Sequence, residues 1–473
     1  MVRRLARTTA APIADVENGV MDSFDPEQCS AGALAQAIGA GELSAREACE
    51  AAIARIETRD GAINAVVVRD FERARQQADA CDARRANGER PPLLGVPMTV
   101  KEAIDVAGLP TTWGIAPFRN HKAGADALVV QRLKTAGAVI LGKTNVPVAL
   151  ADWQSFNPIY GRTVNPLDRS RSPGGSSGGS AAALAAGMVT LEVGSDIAGS
   201  LRVPAAFCGA FAHKPTFGLV PTRGHAFPGA DGAGVEIGVV GPMTRHLPDL
   251  ELELGVLAGP DVDVAAGYRL ELPAPRSSGL RSARLLFLDT HPSVTTSSVL
   301  VDAVARASAG AARAGAQVAR DSELLPDLGA ANTAYGEMLG AIFSRGSPRP
   351  ESVISAHRWM DLLDAQFRLR RQWRALFERF DAVIAPTFGT VAYPHLDNPN
   401  DPATMLPIDG KPTRYGEQLA WPGVASFPGL PATVVPVGTT VDGLPIGLQV
   451  IGGFLQDRTA IRIATLLHEQ AIG

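Results

Sequence analysis

Short apolar runs of strand length recur along this chain and alternate with helix-forming stretches, which restricts it to a layered α/β fold around a central sheet. The runs are Ala138–Leu141, Leu285–Leu288, Ala382–Ala385, Thr433–Val437 and Ile446–Ile451. Asp442-Gly443 falls between the last two and predicts a tight hairpin turn. Helical segments alternate with the strands, as around Asp361 to Phe380. Another helix is predicted from Ser44, because Ser44-Ala45-Arg46-Glu47 has the form of a capping box. Ala45, Ala48, Cys49, Ala52, Ile53 and Ile56 follow at helical spacing and give that helix one buried stripe. With 473 residues, 46% of them hydrophobic, the chain can bury most of its apolar surface without disulfides or metals.

Residues 1 to 27 are polar and aperiodic, and are expected to form a loosely ordered extension ahead of one large domain over 28–473. The sequence contains no internal repeat and no low-complexity tract. Pro394–Pro407 and Ser344–Pro350 read as surface loops, and Arg368, Arg370, Arg371 and Arg374 as a solvated helix face. A net charge of −4 and 5% aromatic residues argue against a nucleic-acid partner. The basic start, Val2-Arg3-Arg4-Leu5-Ala6-Arg7, is followed by Asp15 and Glu17 rather than by the apolar core of a signal peptide. Ala181 to Leu191, the longest apolar run, is too short for a bilayer. Cys29, Cys49, Cys81 and Cys208 are scattered, without metal or disulfide spacing. The expectation is a soluble cytoplasmic protein with no metal, no cofactor and no membrane partner.

Three motifs compete for the chemistry. Gly137-Ala138-Val139-Ile140-Leu141-Gly142-Lys143-Thr144 satisfies the phosphate-loop pattern. Its variable positions are apolar and strand-like, however, whereas a phosphate cradle needs a loop with exposed N–H groups. Gly174-Gly175-Ser176-Ser177-Gly178-Gly179 satisfies the nucleophile-elbow pattern twice, but Asn165 to Pro173 ahead of it is no strand. That reading would also need one of the downstream histidines, such as His213, His225 or His291. The third candidate joins Gly174–Ser180 to a second segment, Gly194-Ser195-Asp196-Ile197-Ala198-Gly199-Ser200-Leu201-Arg202-Val203-Pro204. Dense glycine lets backbone N–H groups converge on an anion, as acyl transfer requires.

At these residues the chain resembles the amidase signature family, from about Ser30 to the C-terminus. The resemblance rests on Gly174–Ala183, on the Asp-x-x-Gly-Ser-x-Arg-x-Pro run from Asp196 to Pro204, and on Val100-Lys101-Glu102 after Gly95-Val96-Pro97. Ser176 lies 75 residues after Lys101 and Ser200 lies 24 further on, in agreement with the family pattern. Gly142-Lys143-Thr144-Asn145, Lys214-Pro215-Thr216 and Gly443-Leu444-Pro445-Ile446-Gly447 support it.

The resemblance implies one α/β domain, a central mixed, twisted sheet covered by helices on both faces. It implies Ser200 as nucleophile, Ser176 as bridging serine after a cis peptide bond, and Lys101 as terminal base. The N–H groups of Ile197, Ala198, Gly199 and Ser200 would receive the oxyanion. Ser177, Asp196 and Arg202 would support the loops, while Lys143 and Lys214 would be structural. Buried and neutral, Lys101 could take a proton from Ser176 as Ser176 takes one from Ser200. Implied substrates are small-molecule amides, anilides or carbamates, cleaved by a monomer or homodimer through an acyl-enzyme. Trp153, Phe156, Tyr160, Phe227, Met338 and Phe343 are expected around an apolar pocket. Two positions depart from the pattern. Ala198 replaces a usual glycine, and Val148 stands where glutamate is frequent.

Overall fold

Eleven strands form one mixed sheet in the computed structural model, which describes residues 29–472 apart from 231, 233, 345–349 and 400. The extension expected over 1–27 lies outside the described residues. In spatial order the strands are Val66–Arg69, Val139–Thr144, Pro97–Lys101, Leu191–Asp196, Val239–Thr244, Phe211–Lys214, Ala432–Thr439, Pro445–Ile451, Ala382–Pro386, Arg284–Phe287 and Gln317–Ala319. Pro97–Lys101 runs parallel to both of its neighbours, and Arg284–Phe287 to both of its own. The remaining pairs are antiparallel. Pro97–Lys101, Val139–Thr144 and Leu191–Asp196 are buried at every residue, so both faces of the sheet are covered where they lie.

Each of the five predicted apolar runs overlaps a strand of this sheet. The last two pair as the expected hairpin, with Gly443 at φ 81° and its N–H donating to the Thr440 carbonyl. The helix predicted from Ser44 spans Ala45–Arg59, and its buried residues are the six of the stripe. Ser44 Oγ accepts from the Glu47 N–H while the Glu47 carboxylate accepts from the Ser44 N–H, satisfying two donors of the first turn. The phosphate-loop match is the buried strand Val139–Thr144, whose N–H groups belong to a sheet ladder rather than a phosphate cradle.

One loop reading needs correction. Met405–Ile408, at the end of the expected Pro394–Pro407 loop, pairs with Lys411–Arg414 as a short hairpin. Most of Ser344–Pro350 lies outside the described residues. The arginine run falls on the helix Ala356–Arg379, where Arg368, Arg371 and Arg374 are exposed but Arg370 is partly buried.

Candidate active site

Parallel strands leave their carboxyl ends open for chemistry, since the chain departs from the sheet there into loops. Lys101 ends the strand Pro97–Lys101, and Asp196 ends its parallel neighbour Leu191–Asp196. Beyond Asp196 the chain turns through Ile197–Leu201 into the helix Arg202–Cys208. The loop Gly174–Ser177 meets this turn from the other side, ahead of the helix Gly178–Ala185. Its Gly175–Ser176 peptide bond is cis. A Cβ on Gly175 would come within 2.6 Å of the carbonyl oxygens of Asp152 and Gln154, so only glycine fits that contact.

Lys101 is fully buried, and its Nζ lies 2.7 Å from Ser176 Oγ and 3.0 Å from Ser195 Oγ. Burial pushes its pKa down to about 7, against the opposing fields of Asp196 and Glu192. Burial also pushes the Glu192 carboxyl up to about 8, well above the usual carboxylate range, against the opposing hydrogen bond from Thr99 and the field of Lys101. The Asp196 carboxylate is committed elsewhere. Burial alone would raise its pKa, but Arg202, Lys214 and the Gly199 N–H outweigh this and hold it at about 2.

Burial does not single out Lys101. Lys143 and Lys214 are equally enclosed, with pKa values pushed down by desolvation to about 8 and about 7. Their partners differ. Lys143 Nζ donates to the Pro110 carbonyl and to Thr111 Oγ1, and Lys214 Nζ to the carbonyls of Pro215 and Leu430. Of the three, Lys101 faces a serine of the glycine-rich loop. No histidine hydrogen-bonds Ser176, Ser177 or Ser200 among the described residues. His213 is held by Thr433 and Asp457, and His225 by the Ala103 carbonyl.

Ser177 ties the two loops together. Its N–H donates to the Ser200 carbonyl at 3.2 Å, and its Oγ to the Ser195 carbonyl at 3.3 Å. No hydrogen bond joins the Ser176 and Ser200 hydroxyls in this structure, although both residues are buried. The sequence groups Ile197, Ala198 and Gly199 as donors, but the structure divides them. The Gly199 N–H donates to Asp196 Oδ1 at 2.8 Å, whereas those of Ile197, Ala198 and Ser200 have no partner among the described residues. Gly199 also supplies the left-handed turn at φ 93°. Ala198 is not among the residues with positive φ, so alanine fits its place without backbone strain.

Tyr335 and Ser195 were not legible as site residues. Tyr335 Oη donates to the Ile197 carbonyl and Trp153 Nε1 to the Ala198 carbonyl, each at 2.7 Å. The peptide that Tyr335 holds carries the unpartnered Ala198 N–H, and the one that Trp153 holds carries the Gly199 N–H taken by Asp196, so the turn is fixed at both peptides. Of the other residues expected around a pocket, Met338 is buried, Phe156 and Phe343 are exposed, and Tyr160 Oη hydrogen-bonds Glu102. Phe227 lies partly exposed against Trp113 and Phe118. A cavity of about 1080 Å3 opens beside His225, but none of Lys101, Ser176 and Ser200 lines it. No three His, Cys, Asp or Glu side chains gather as metal ligands among the described residues.

Arg202 holds the turn at its base. Its guanidinium is fully buried, bonds both Asp196 oxygens, and reaches Ser426 Oγ and Gln449 Oε1 at 2.7 Å. Arg202→Ala would leave Asp196 charged and buried without its partner, and is expected to cost about 3–5 kcal/mol. The check is a urea midpoint measured at pH 7. A variant unfolding at the wild-type midpoint would show that the pair does not support the turn. Because the Asp196 pKa is depressed, this stability is fully present above the unfolded carboxylate value near ~3.9 and is lost as pH falls toward about 2.

The Amidase family model matches residues 47–323 and 330–461. The chain is 36% identical over 465 residues to AtzE, a subunit of the 1-carboxybiuret hydrolase of Pseudomonas sp. (strain ADP), covering 93% of this chain and 98% of that protein. It is 33% identical over 474 residues to the putative amidase AmiB2 of Mycobacterium tuberculosis (strain ATCC 25618 / H37Rv), covering 95% and 97%. A solved bacterial aryl acylamidase, an amidase signature enzyme, matches with a TM-score of 0.80 and 25% identity, over 93% of this chain and 96% of that one. Among the described residues no helix is long and apolar enough to cross a membrane. With the family model spanning most of its length and relatives matching nearly end to end, this chain belongs to the amidase signature family and hydrolyses amide C–N bonds.

Proposed function

We propose that Ser200 attacks the amide carbonyl, with Ser176 and Lys101 carrying its proton, and that the reaction passes through an acyl-enzyme. The observation that carries this reading is the Lys101–Ser176 contact, a desolvated amine 2.7 Å from a serine hydroxyl and without an ion-pair partner among the described residues. As Ser200 Oγ bonds the carbonyl carbon, its proton passes to Ser176 Oγ and the Ser176 proton to neutral Lys101. The second link of this relay, between the two hydroxyls, closes when substrate is bound, since catalytic hydrogen bonds are often loose in free enzymes. The N–H groups of Ile197, Ala198 and Ser200 receive the oxyanion, while Gly199 holds the turn to Asp196. Collapse breaks the C–N bond, and the leaving nitrogen takes a proton from Ser176, which is replenished by Lys101. Water then attacks the ester on Ser200 by the same relay, releasing the carboxylic acid.

The substrates are small-molecule amides and anilides, with esters and carbamates as side substrates. Supporting this, Ala198 belongs to a buried apolar cluster with Ile237, Tyr335, Met338 and Trp421, against which Ile197 also packs. A small apolar acyl or aryl group suits such surroundings. A fluorophosphonate probe tests the nucleophile directly. Peptide mapping is expected to find the phosphonyl adduct on Ser200. An adduct on Ser176 or Ser177, or none in a protein active on anilides, would overturn the assignment.

A further inference from the structure

The arginines of the helix Ala356–Arg379 divide by whether they have a carboxylate partner. Arg358 pairs with Glu337, Arg368 with Asp364 and Arg379 with Glu323. Arg370, Arg371 and Arg374 form no ion pair within 4.0 Å among the described residues, although the Glu236 carboxylate acts on Arg370 from farther away. Together with Phe367 these three recur at three- and four-residue spacing, so they occupy one face of the helix. That face lines a cavity of about 540 Å3, away from Lys101, Ser176 and Ser200.

The cavity is already organised. Arg370 Nε donates to the Pro428 carbonyl at 3.0 Å, and its guanidinium lies 4.3 Å from the centre of the Phe454 ring and 5.1 Å from that of Phe367. Arg276, which also lines the cavity, lies 3.4 Å from Asp381, a carboxylate it shares with Arg284 at 2.8 Å. Arg371 and Arg374 therefore line the space without an ion-pair partner, beside the engaged Arg370 and one lining carboxylate residue, Glu378. Like charges this close on a helix repel, so folding gains nothing by gathering them. A solvated helix face would not need the walls that Phe367 and Phe454 supply.

We propose that this groove binds a small organic anion with an aromatic body, its charged group held by Arg371 and Arg374 and its ring set against Phe367 and Phe454. Guanidinium forks match the oxygens of phosphate and carboxylate, and an exposed ring beside them favours a ligand with a flat apolar part. The proposal is independent of the chemistry assigned to Ser200.

Calorimetric titration of phenyl phosphate into the whole protein at low salt tests it. Saturable binding is expected, tighter than for inorganic phosphate, with no binding of uncharged benzyl alcohol. Losing two charge-assisted contacts in Arg371→Ala/Arg374→Ala should weaken phenyl phosphate by about tenfold or more. Both side chains are exposed, so thermal midpoint and amide turnover should stay at wild-type values. Phe367→Ala should bring phenyl phosphate down toward the affinity of inorganic phosphate. Absence of saturable binding would overturn the proposal. So would equal affinity in the double variant, which would mean that the anion settles elsewhere, or phenyl phosphate binding no tighter than inorganic phosphate.

Discussion

Ser200→Ala is expected to reduce amide turnover by about 10^4-fold or more while leaving the protein folded, because on the proposed mechanism it removes the attacking atom and with it the covalent route. The substitution deletes one oxygen from a small, nearly buried side chain. The turn around it is held by Asp196, Arg202 and Gly199, none of which the change touches. Residual activity would come from the oxyanion donors and from substrate binding alone. Ser176→Ala should cost less, on the order of 10^2–10^4-fold, since it interrupts proton transfer and keeps the attacking atom. Ser177→Ala loosens a tie between the two loops but removes no reacting group, so it should retain most activity. The measurement is kcat and KM on an anilide for all three variants. Near-normal kcat in Ser200→Ala would sink the assignment and turn attention to Ser176 and Ser177.

The second large effect concerns Lys101. Its pKa of about 7 makes the neutral amine the major form only above neutrality. The kcat/KM profile should therefore fall on the acid side as Lys101 gains a proton, along a limb centred near pH 7. Lys101→Met keeps the length and apolar stem but removes the amine, and should lower kcat by about 10^3-fold with the limb abolished. Lys101→Arg should fail too, because a guanidinium stays protonated. Folding should survive Lys101→Met. The unfolded lysine binds a proton that the folded one gives up between about pH 7 and its ordinary value near ~10.4, so the wild-type protein loses stability as pH falls through that window. Methionine carries no such penalty, although Ser176 and Ser195 lose a partner. An active, folded Lys101→Arg enzyme would overturn the relay.

Much of this protein was determined locally. The Ser44 capping box, the Ala45–Ile56 stripe and the Asp442-Gly443 hairpin depend on residues a few positions apart, and each is readable from side-chain chemistry and period. The glycines of Gly174–Ser180 and the Asp196–Pro204 run were legible because close backbone approaches restrict residue type.

Long-range contacts were not legible. Three lysines, Lys101, Lys143 and Lys214, are equally buried, and only the sheet decides which one meets a serine. The resemblance selected Lys101, while the residues around each lysine in sequence gave no physical reason for the choice. Tyr335 comes from a helix 138 residues beyond the peptide it braces, and nothing in its own stretch marks it. Nothing near Gly199 in sequence shows that its N–H, grouped there with the oxyanion donors, is held by Asp196 in the folded turn. On the helix Ala356–Arg379, Arg358 and Arg379 likewise find their carboxylates on other segments, whereas Arg368 pairs with Asp364 four residues earlier on the same helix. Sequence determined which local structures could form, because period, caps and turn residues act over a few positions. Tertiary structure alone decided which buried charge faces which partner, since that depends on strands and helices brought together from distant parts of the chain.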